Sequence, residues 1–294
     1  MADANALTAG VELGGTKCVC TLADANGQIL DQHSLPTTGP DETLGGIGDI
    51  LDGWQQARGF RAIGIASFGP VHLDPASPNW GHIANTPKPG WRGADIAPRF
   101  RRRFQTPVAF DTDVNGAALA ELRWGAGRGL GDFAYITVGT GVGAGLIANG
   151  RPVHGFAHPE LGHVPVQRLP GDEWPGACPF HGACVEGLAS GRALEARLAG
   201  RDIAAVAADD PLWTTVTHAL AQLCHVIVCA AAPGRIAMGG GVLTRQPHLL
   251  PRIEAALVES LAGYIDLPAE PYLVAPGLGA QAGSLGAIVL ALDA

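Results

Sequence analysis

The chain has 294 residues, 47% of them hydrophobic and 16% charged, with a formal net charge of −8. That length sets a soft expectation of two domains, and that composition supplies a sizeable core and excludes a disordered chain. The acidic balance, with no basic run beyond Arg101, Arg102 and Arg103, excludes a broad nucleic-acid footprint. Those three arginines are expected at the end of a surface helix, facing solvent. The opening Met-Ala-Asp-Ala-Asn has neither the basic nor the apolar region of a secretory signal, and the longest apolar stretch, around Cys224 to Pro233, is too short for a bilayer. A cytoplasmic chain with no membrane or nucleic-acid partner is therefore expected.

In chain order, Thr8 to Leu13, Lys17 to Ala23 and a third run ending near Pro36 read as an antiparallel meander. Its turns fall at Gly14-Gly15-Thr16 and Ala25-Asn26-Gly27. Asp41 to Arg58 has helical spacing with Asp41 as N-cap. Ala62 to Ser67 is a short buried strand, Arg92 to Phe104 a helix, Val108 to Phe110 a strand, and Val114 to Trp124 a helix opened by an Asp. A second meander follows: Phe133 to Val138, a glycine turn, Gly143 to Ala148, then Asn149-Gly150. Beyond an irregular segment come helices at Gly191 to Leu198 and Pro211 to Ala232, and a strand at Arg235 to Met238. A helix at Gln246 to Leu261, a strand at Tyr272 to Val274 and a last helix from Gln281 complete the order. Cys18, Cys20, Cys224 and Cys229 read as small buried hydrophobes.

A strand–glycine turn–strand opening thus occurs twice, at Val11 to Thr16 and at Thr137 to Gly143. The weak duplication predicts two similar α/β domains facing a cleft. The boundary falls near Asp111 to Asn115. That gives a small domain over 1–112, completed by the C-terminal helix 281–294, and a larger one over 113–280.

Gly14, Gly15, Thr16 and Lys17 fit an ordinary hairpin turn, but they also fit a phosphate cradle of backbone N–H groups, a hydroxyl and an ammonium. Gly139, Thr140 and Gly141 repeat that chemistry. No GxxxxGK[ST] sequence is present, and neither turn runs from a strand into a helix, so Walker-A and dinucleotide loops are both excluded. Gly239, Gly240 and Gly241 end a strand, either for close approach of a nucleoside or for a sharp turn into a helix.

Asp111-Thr112-Asp113-Val114-Asn115 ends an apolar strand and opens a helix. One Asp would serve as a cap; two Asp and an Asn at a strand's carboxyl end exceed that need. Phosphoryl transfer needs a carboxylate to take the proton of the attacking hydroxyl, and Asn115 can hydrogen-bond sugar hydroxyls. Spacing leaves Asp111 and Asp113 tied for the base.

His163, Cys178, His181 and Cys184 give H-x14-C-x2-H-x2-C in a segment broken by Pro175, Gly176, Pro179 and Gly182. Two thiolates and two imidazoles suit a closed, structural, tetrahedral zinc ion. On spacing alone His158 competes with His163 for the fourth position. The metal would hold Glu160 and Glu186 near each other, and paired carboxylates suit a polyol.

At these residues the chain closely resembles the ROK family of sugar kinases and repressors, over nearly its whole length. Val11 to Lys17 is similar to that family's first phosphate loop and Thr137 to Gly143 to its second. Asp111 to Ala118 is similar to its catalytic segment, and His158-Pro159-Glu160-Leu161-Gly162-His163 to its sugar-and-metal motif. The resemblance implies an actin/hexokinase-like, duplicated ribonuclease H-like fold, a homodimer, and the use of ATP with Mg²⁺. It makes Asp113 the base and brings Asn115, Glu160, His163 and Glu186 to the sugar. The family's common Glu-Asn-Asp reads Asp-Thr-Asp here, and Cys178 to Gly187 departs from its usual Cys-x-Cys-rich metal motif. Both departures, with Asn85-Thr86-Pro87-Lys88-Pro89-Gly90-Trp91 and Ser67 to Pro70, resemble the bacterial zinc-containing fructokinase branch. Thr86, Pro87 and Lys88 are accordingly expected at the substrate, and fructose as the acceptor, phosphorylated at its 6-hydroxyl. Mannose, glucose or an N-acetylhexosamine are the alternatives. A sugar-binding regulator would carry a helix-turn-helix ahead of the first strand, which here begins by about Thr8. An inert sugar-binding or zinc protein has no need of Asp113 and both loops.

Overall fold

The computed structural model describes residues 6–268 and 270–294. Its elements in chain order are β1 (Thr8–Leu13), β2 (Lys17–Ala23), β3 (Ile29–Pro36), α1 (Pro40–Ala57), β4 (Ile63–Ser67), α2 (Ala97–Phe104), β5 (Val108–Thr112) and α3 (Asp113–Trp124). Then follow β6 (Phe133–Val138), β7 (Val142–Ala148), β8 (Arg151–Pro152), α4 (Val185–Ala189), α5 (Gly191–Leu198), α6 (Leu212–Ala231) and β9 (Ile236–Gly239). The chain ends with α7 (Gly241–Arg245), α8 (Leu249–Leu261), β10 (Leu273–Val274) and α9 (Ala282–Leu292). These form two compact units. The first takes in the described residues up to Arg123, with Val153–His158 and Ala280–Ala294; the second takes in Trp124–Pro152 and Pro159–Gly279. Helix α3 thus packs with the first unit rather than opening the second.

Each unit is built on one sheet, and the two sheets share a topology. In the first the order is β3-β2-β1-β4-β5; in the second it is β8-β7-β6-β9-β10. In both, an antiparallel meander continues into two strands parallel to its first member. β1 and β4 are buried along nearly their whole length, whereas edge strand β3 alternates between partly covered and exposed positions. α9 covers β1 and β4, and its apolar run from Leu285 to Ala291 is buried there. That approach depends on paired glycines, since a Cβ on Gly286 would meet the backbone of Gly116 on α3. Gly286→Ala is therefore expected to destabilise the protein by ~1–3 kcal/mol through overpacking. Chemical denaturation checks this, and an unchanged midpoint would contradict it.

Several local expectations are corrected. α1 is not capped by Asp41: Gly39 precedes it without a side-chain bond, and Pro40 takes the first turn, where its missing N–H is tolerated. α2 starts at Ala97, because Gly93 adopts a left-handed φ of 75° and Asp95 bridges to His82. The helix expected over Gln246 to Leu261 begins only at Leu249, after Pro247, and the short helix α7 ahead of it was not expected. The arginine trio is partnered: Arg102 pairs with Asp95, Arg103 with Asp49 (3.0 Å) and Asp52 (2.5 Å), and Arg101 lies over Trp80. Cys229 is exposed, on the outer side of α6, while Cys18, Cys20 and Cys224 are buried. α6 is also longer than the apolar stretch read from sequence. It has the length and composition of a membrane span (mean hydropathy 1.4), but 56% of that window is buried in the second unit, where the helix packs on α4 and α8.

Candidate active site

In the first unit β1, β4 and β5 run parallel, with Leu13 beside Ser67 and Ser67 beside Thr112. Their carboxyl ends therefore bring the turn Gly14–Lys17 and the segment Asp111–Asn115 to one edge of the sheet, the usual ligand edge of such sheets. The turn closes through Gly14 N–H to the Lys17 carbonyl (3.1 Å). Its next carbonyls are held from outside. Thr37 Oγ1 donates to the Gly14 oxygen at 2.7 Å, Lys88 Nζ to the Gly15 oxygen at 2.6 Å, and the Thr37 N–H to the Thr16 oxygen at 2.9 Å. A turn whose acceptors are engaged by protein donors suits an anion. Lys88, whose ammonium also lies 5.9 Å from the Phe68 ring centroid, is thus placed at the glycine turn. Thr86 Oγ1 receives the Lys88 N–H at 3.3 Å and shapes the approach, with Pro87 exposed between them.

Glu12 lies inside β1, immediately before this turn. Burial raises its carboxyl above the usual range, and Lys17 opposes that shift. A carboxylate in an otherwise apolar strand was the available signal for it, and sequence reasoning passed it over.

The acidic segment separates into distinct jobs. Thr112, not an Asp, caps α3: its hydroxyl accepts the Asn115 N–H at 3.2 Å. Asp111 is 4% exposed, and both its oxygens are engaged. Oδ1 accepts the Thr112 N–H (2.7 Å) and Asn115 Nδ2–H (2.7 Å), while Oδ2 lies 3.0 Å from His154 Nε2. Asp113 occupies the first helical position, half-buried, with Oδ1 accepting the Val114 N–H at 2.9 Å. The positive end of α3 favours its ionised form there. His154 had no signal in the sequence: it stands alone in a loop, 39 residues from Asn115.

In the second unit Gly139–Gly141 forms the β6–β7 turn, and Gly239–Gly241 ends the neighbouring parallel strand β9, so both glycine motifs lie at one sheet edge. Gly240 has φ 91° and packs against the Val138 backbone, which fixes the turn into α7. Glu186 Oε2 accepts the Val142 N–H at 3.1 Å, and the Gly191 N–H donates to the Gly139 oxygen at 2.7 Å. A Cβ on Gly141 would lie 2.5 Å from Glu186 Oε2, so a larger residue there would displace that carboxylate. Thr140 is exposed on the turn. Glu160 is accessible as a residue, yet its carboxyl is pushed up to about 7, first by desolvation and then by the Glu186 charge.

His163, Cys178, His181 and Cys184 converge, with one ligand atom from each lying within 4.8 Å of all the others. Cys178 Sγ lies 3.6 Å from His163 Nδ1 and 3.7 Å from His181 Nδ1, and Cys184 Sγ lies 3.7 Å from His163 Nδ1. With Zn–S about 2.3 Å and Zn–N about 2.0–2.1 Å, a tetrahedral ion sets sulfur and nitrogen roughly 3.6 Å apart. Those three sulfur–nitrogen pairs already have that spacing, so the cluster fits zinc. His158 does not join them: its Nε2 accepts the Val71 N–H at 3.0 Å in the first unit. Of the two histidines weighed for the fourth position, it is His163 that lies in the cluster.

Two α/β units of one topology, each with a glycine turn at the carboxyl edge of its sheet, define the actin/hexokinase-like class of fold. The ROK family model matches residues 8–294, and the chain belongs to the ROK family. It is 41% identical over 288 residues to a fructokinase of Pediococcus pentosaceus, covering 97% of each chain. It is 42% identical over 290 residues to a fructokinase of Zymomonas mobilis, covering 97% of this chain and 96% of the relative. A ROK family glucokinase from Streptomyces griseus, solved in complex with glucose and AMPPNP, superposes with a TM-score of 0.78 at 26% identity. That match covers 98% of this chain and 100% of the glucokinase.

Proposed function

We propose that the chain is an ATP-dependent kinase that converts D-fructose to fructose 6-phosphate, with Asp113 as general base. The observation that carries the assignment of the base is the engagement of Asp111. Its carboxylate is buried and holds Thr112, Asn115 and His154, so it is unsuited to taking a proton from substrate. Asp113 lies two residues onward at the helix start, where a carboxylate is stabilised as the anion. The substrate assignment follows the two fructokinase relatives, which match along the whole chain.

The reaction needs few covalent partners from the protein, and most of the work is positioning and charge stabilisation. Asn115, Glu160, His163, Glu186, Thr86, Pro87 and Lys88 are the residues assigned to the sugar. As the 6-oxygen attacks the γ-phosphorus of ATP, Asp113 takes its proton and ADP departs. The Gly14–Lys17 and Gly139–Gly141 turns bind the phosphates, Thr16, Lys17 and Thr140 adding side-chain contacts, and Gly239–Gly241 lets the nucleoside approach the backbone. Magnesium, when bound, neutralises the phosphate charge, and Glu12 is the buried carboxylate beside the first turn that suits a hard cation. Zinc in the His163–Cys178–His181–Cys184 set is structural, because four protein ligands leave no open position. The functional division follows the two units, and the enzyme is a cytoplasmic homodimer; light scattering should give twice the chain mass of 30.1 kDa.

The test of the substrate is a panel of fructose, mannose, glucose and N-acetylhexosamines, each with Mg-ATP. The reading expects the highest kcat/KM with fructose. It also expects a product that phosphoglucose isomerase and glucose-6-phosphate dehydrogenase oxidise, as they do fructose 6-phosphate but not fructose 1-phosphate. A higher kcat/KM for another hexose would reassign the acceptor.

A further inference from the structure

We propose that His154 is a positioning residue of this site: it locks the Asp111 carboxylate, which in turn fixes the amide of Asn115 for the sugar. The proposal rests on the sugar-kinase reading above, and nothing in the motifs assigns the residue.

Asp111 Oδ1 lies 2.7 Å from the amide terminus of Asn115, a distance that only an N–H group tolerates against a carboxylate, so Nδ2 faces Asp111. The Asn115 carbonyl oxygen is then the group left to accept a hydroxyl. Asp111 Oδ2 lies 3.0 Å from His154 Nε2, so that nitrogen carries a proton and donates it. The contact of 3.3 Å between Asn115 Nδ2 and His154 Nε2 joins two donors that share one carboxylate, not a hydrogen bond between them. Asp111 thus stands between Asn115 and His154, and one hydrogen bond to each ties the three rotamers together. The buried carboxylate needs both donors, since Asp111 is 4% exposed and has little water to replace one. The bond to Asp111 raises the imidazole above its ordinary range, with partial burial opposing. His154 is 39% exposed in its side chain, so the lock lies at the surface of the site rather than in the core.

Without its imidazole donor, Asp111 Oδ2 competes for the second proton of the Asn115 amide and turns it. His154→Ala is therefore expected to raise KM for the sugar ~10-fold, the scale of one charge-assisted bond, while changing kcat less than about 3-fold and leaving KM for ATP unchanged. His154→Gln places an amide N–H where Nε2–H sits and should restore KM to within about 3-fold of wild type. An unchanged sugar KM in His154→Ala would overturn the proposal. So would a matched rise in both KM values with a lower Tm, or a Gln variant no better than Ala. A second arm needs no turnover: nitrogen-15 NMR of the unliganded protein should show the Nε2–H tautomer for His154, with a raised pKa that returns to the ordinary imidazole range in Asp111→Asn. If wild type makes no ADP with any hexose, the kinase reading fails by itself, and an imidazole indifferent to Asp111→Asn removes the lock as well.

Discussion

Asp113→Asn is expected to lower kcat by ~10²-fold or more, with an unchanged fold and a sugar KM within a few-fold of wild type. The amide keeps the size of the carboxylate and can still accept the Val114 N–H, so helix α3 should survive. Thr112, whose hydroxyl caps the helix, is untouched. What disappears is the carboxylate proposed to take the proton of the sugar hydroxyl. Asp111→Asn should behave differently. It removes a buried charge from three donors, so it should lower Tm and raise sugar KM as Asn115 loses its anchor. Steady-state kinetics with circular dichroism on both variants separates the two aspartates. A kcat near wild type in Asp113→Asn would take the base role away from that residue.

Cys178→Ser is expected to abolish stoichiometric zinc binding and to lower Tm by at least about 5 °C, since each kcal/mol is worth ~2–4 °C in a chain of this size. Cys178 is buried, and its N–H and carbonyl exchange hydrogen bonds with Gly182 at 3.2 and 3.0 Å, so a metal bound there would tie a short hairpin to His163. The consequence extends past the loop. Glu186, two residues beyond the ligand Cys184, holds the Val142 N–H at the second glycine turn, and Gly162 packs on the Val142 carbonyl. Loss of the ion should therefore raise KM for ATP as well as for the sugar. Elemental analysis and thermal melts with and without a chelator give the measurement. Full zinc occupancy in the variant would reject the ligand set.

The order of strands and helices was legible because glycine turns, alternating apolar runs and Pro-Gly breaks are local. So was the convergence of the Cys/His cluster: three of its four residues fall within seven, Cys178 to Cys184. What local pattern could not carry was the partner of each polar group. Spacing left Asp111 and Asp113 equal; the resemblance favoured Asp113, and the positions of His154 and Asn115 in space supply a physical difference between them. Lys88 was placed at the substrate by resemblance alone, and its hydrogen bond to Gly15 spans 73 residues. His154 is one histidine in a loop, with no periodicity or spacing to mark it. The arginine trio shows the same limit: the helix was readable, but the acidic face of α1 that neutralises Arg103 was not.

The most direct measurement is ADP release from the purified protein with Mg-ATP, with and without D-fructose. The account predicts ADP formed in step with sugar phosphate, dependent on fructose, and lost by about two orders of magnitude in Asp113→Asn. No ADP with fructose or any other hexose would contradict it.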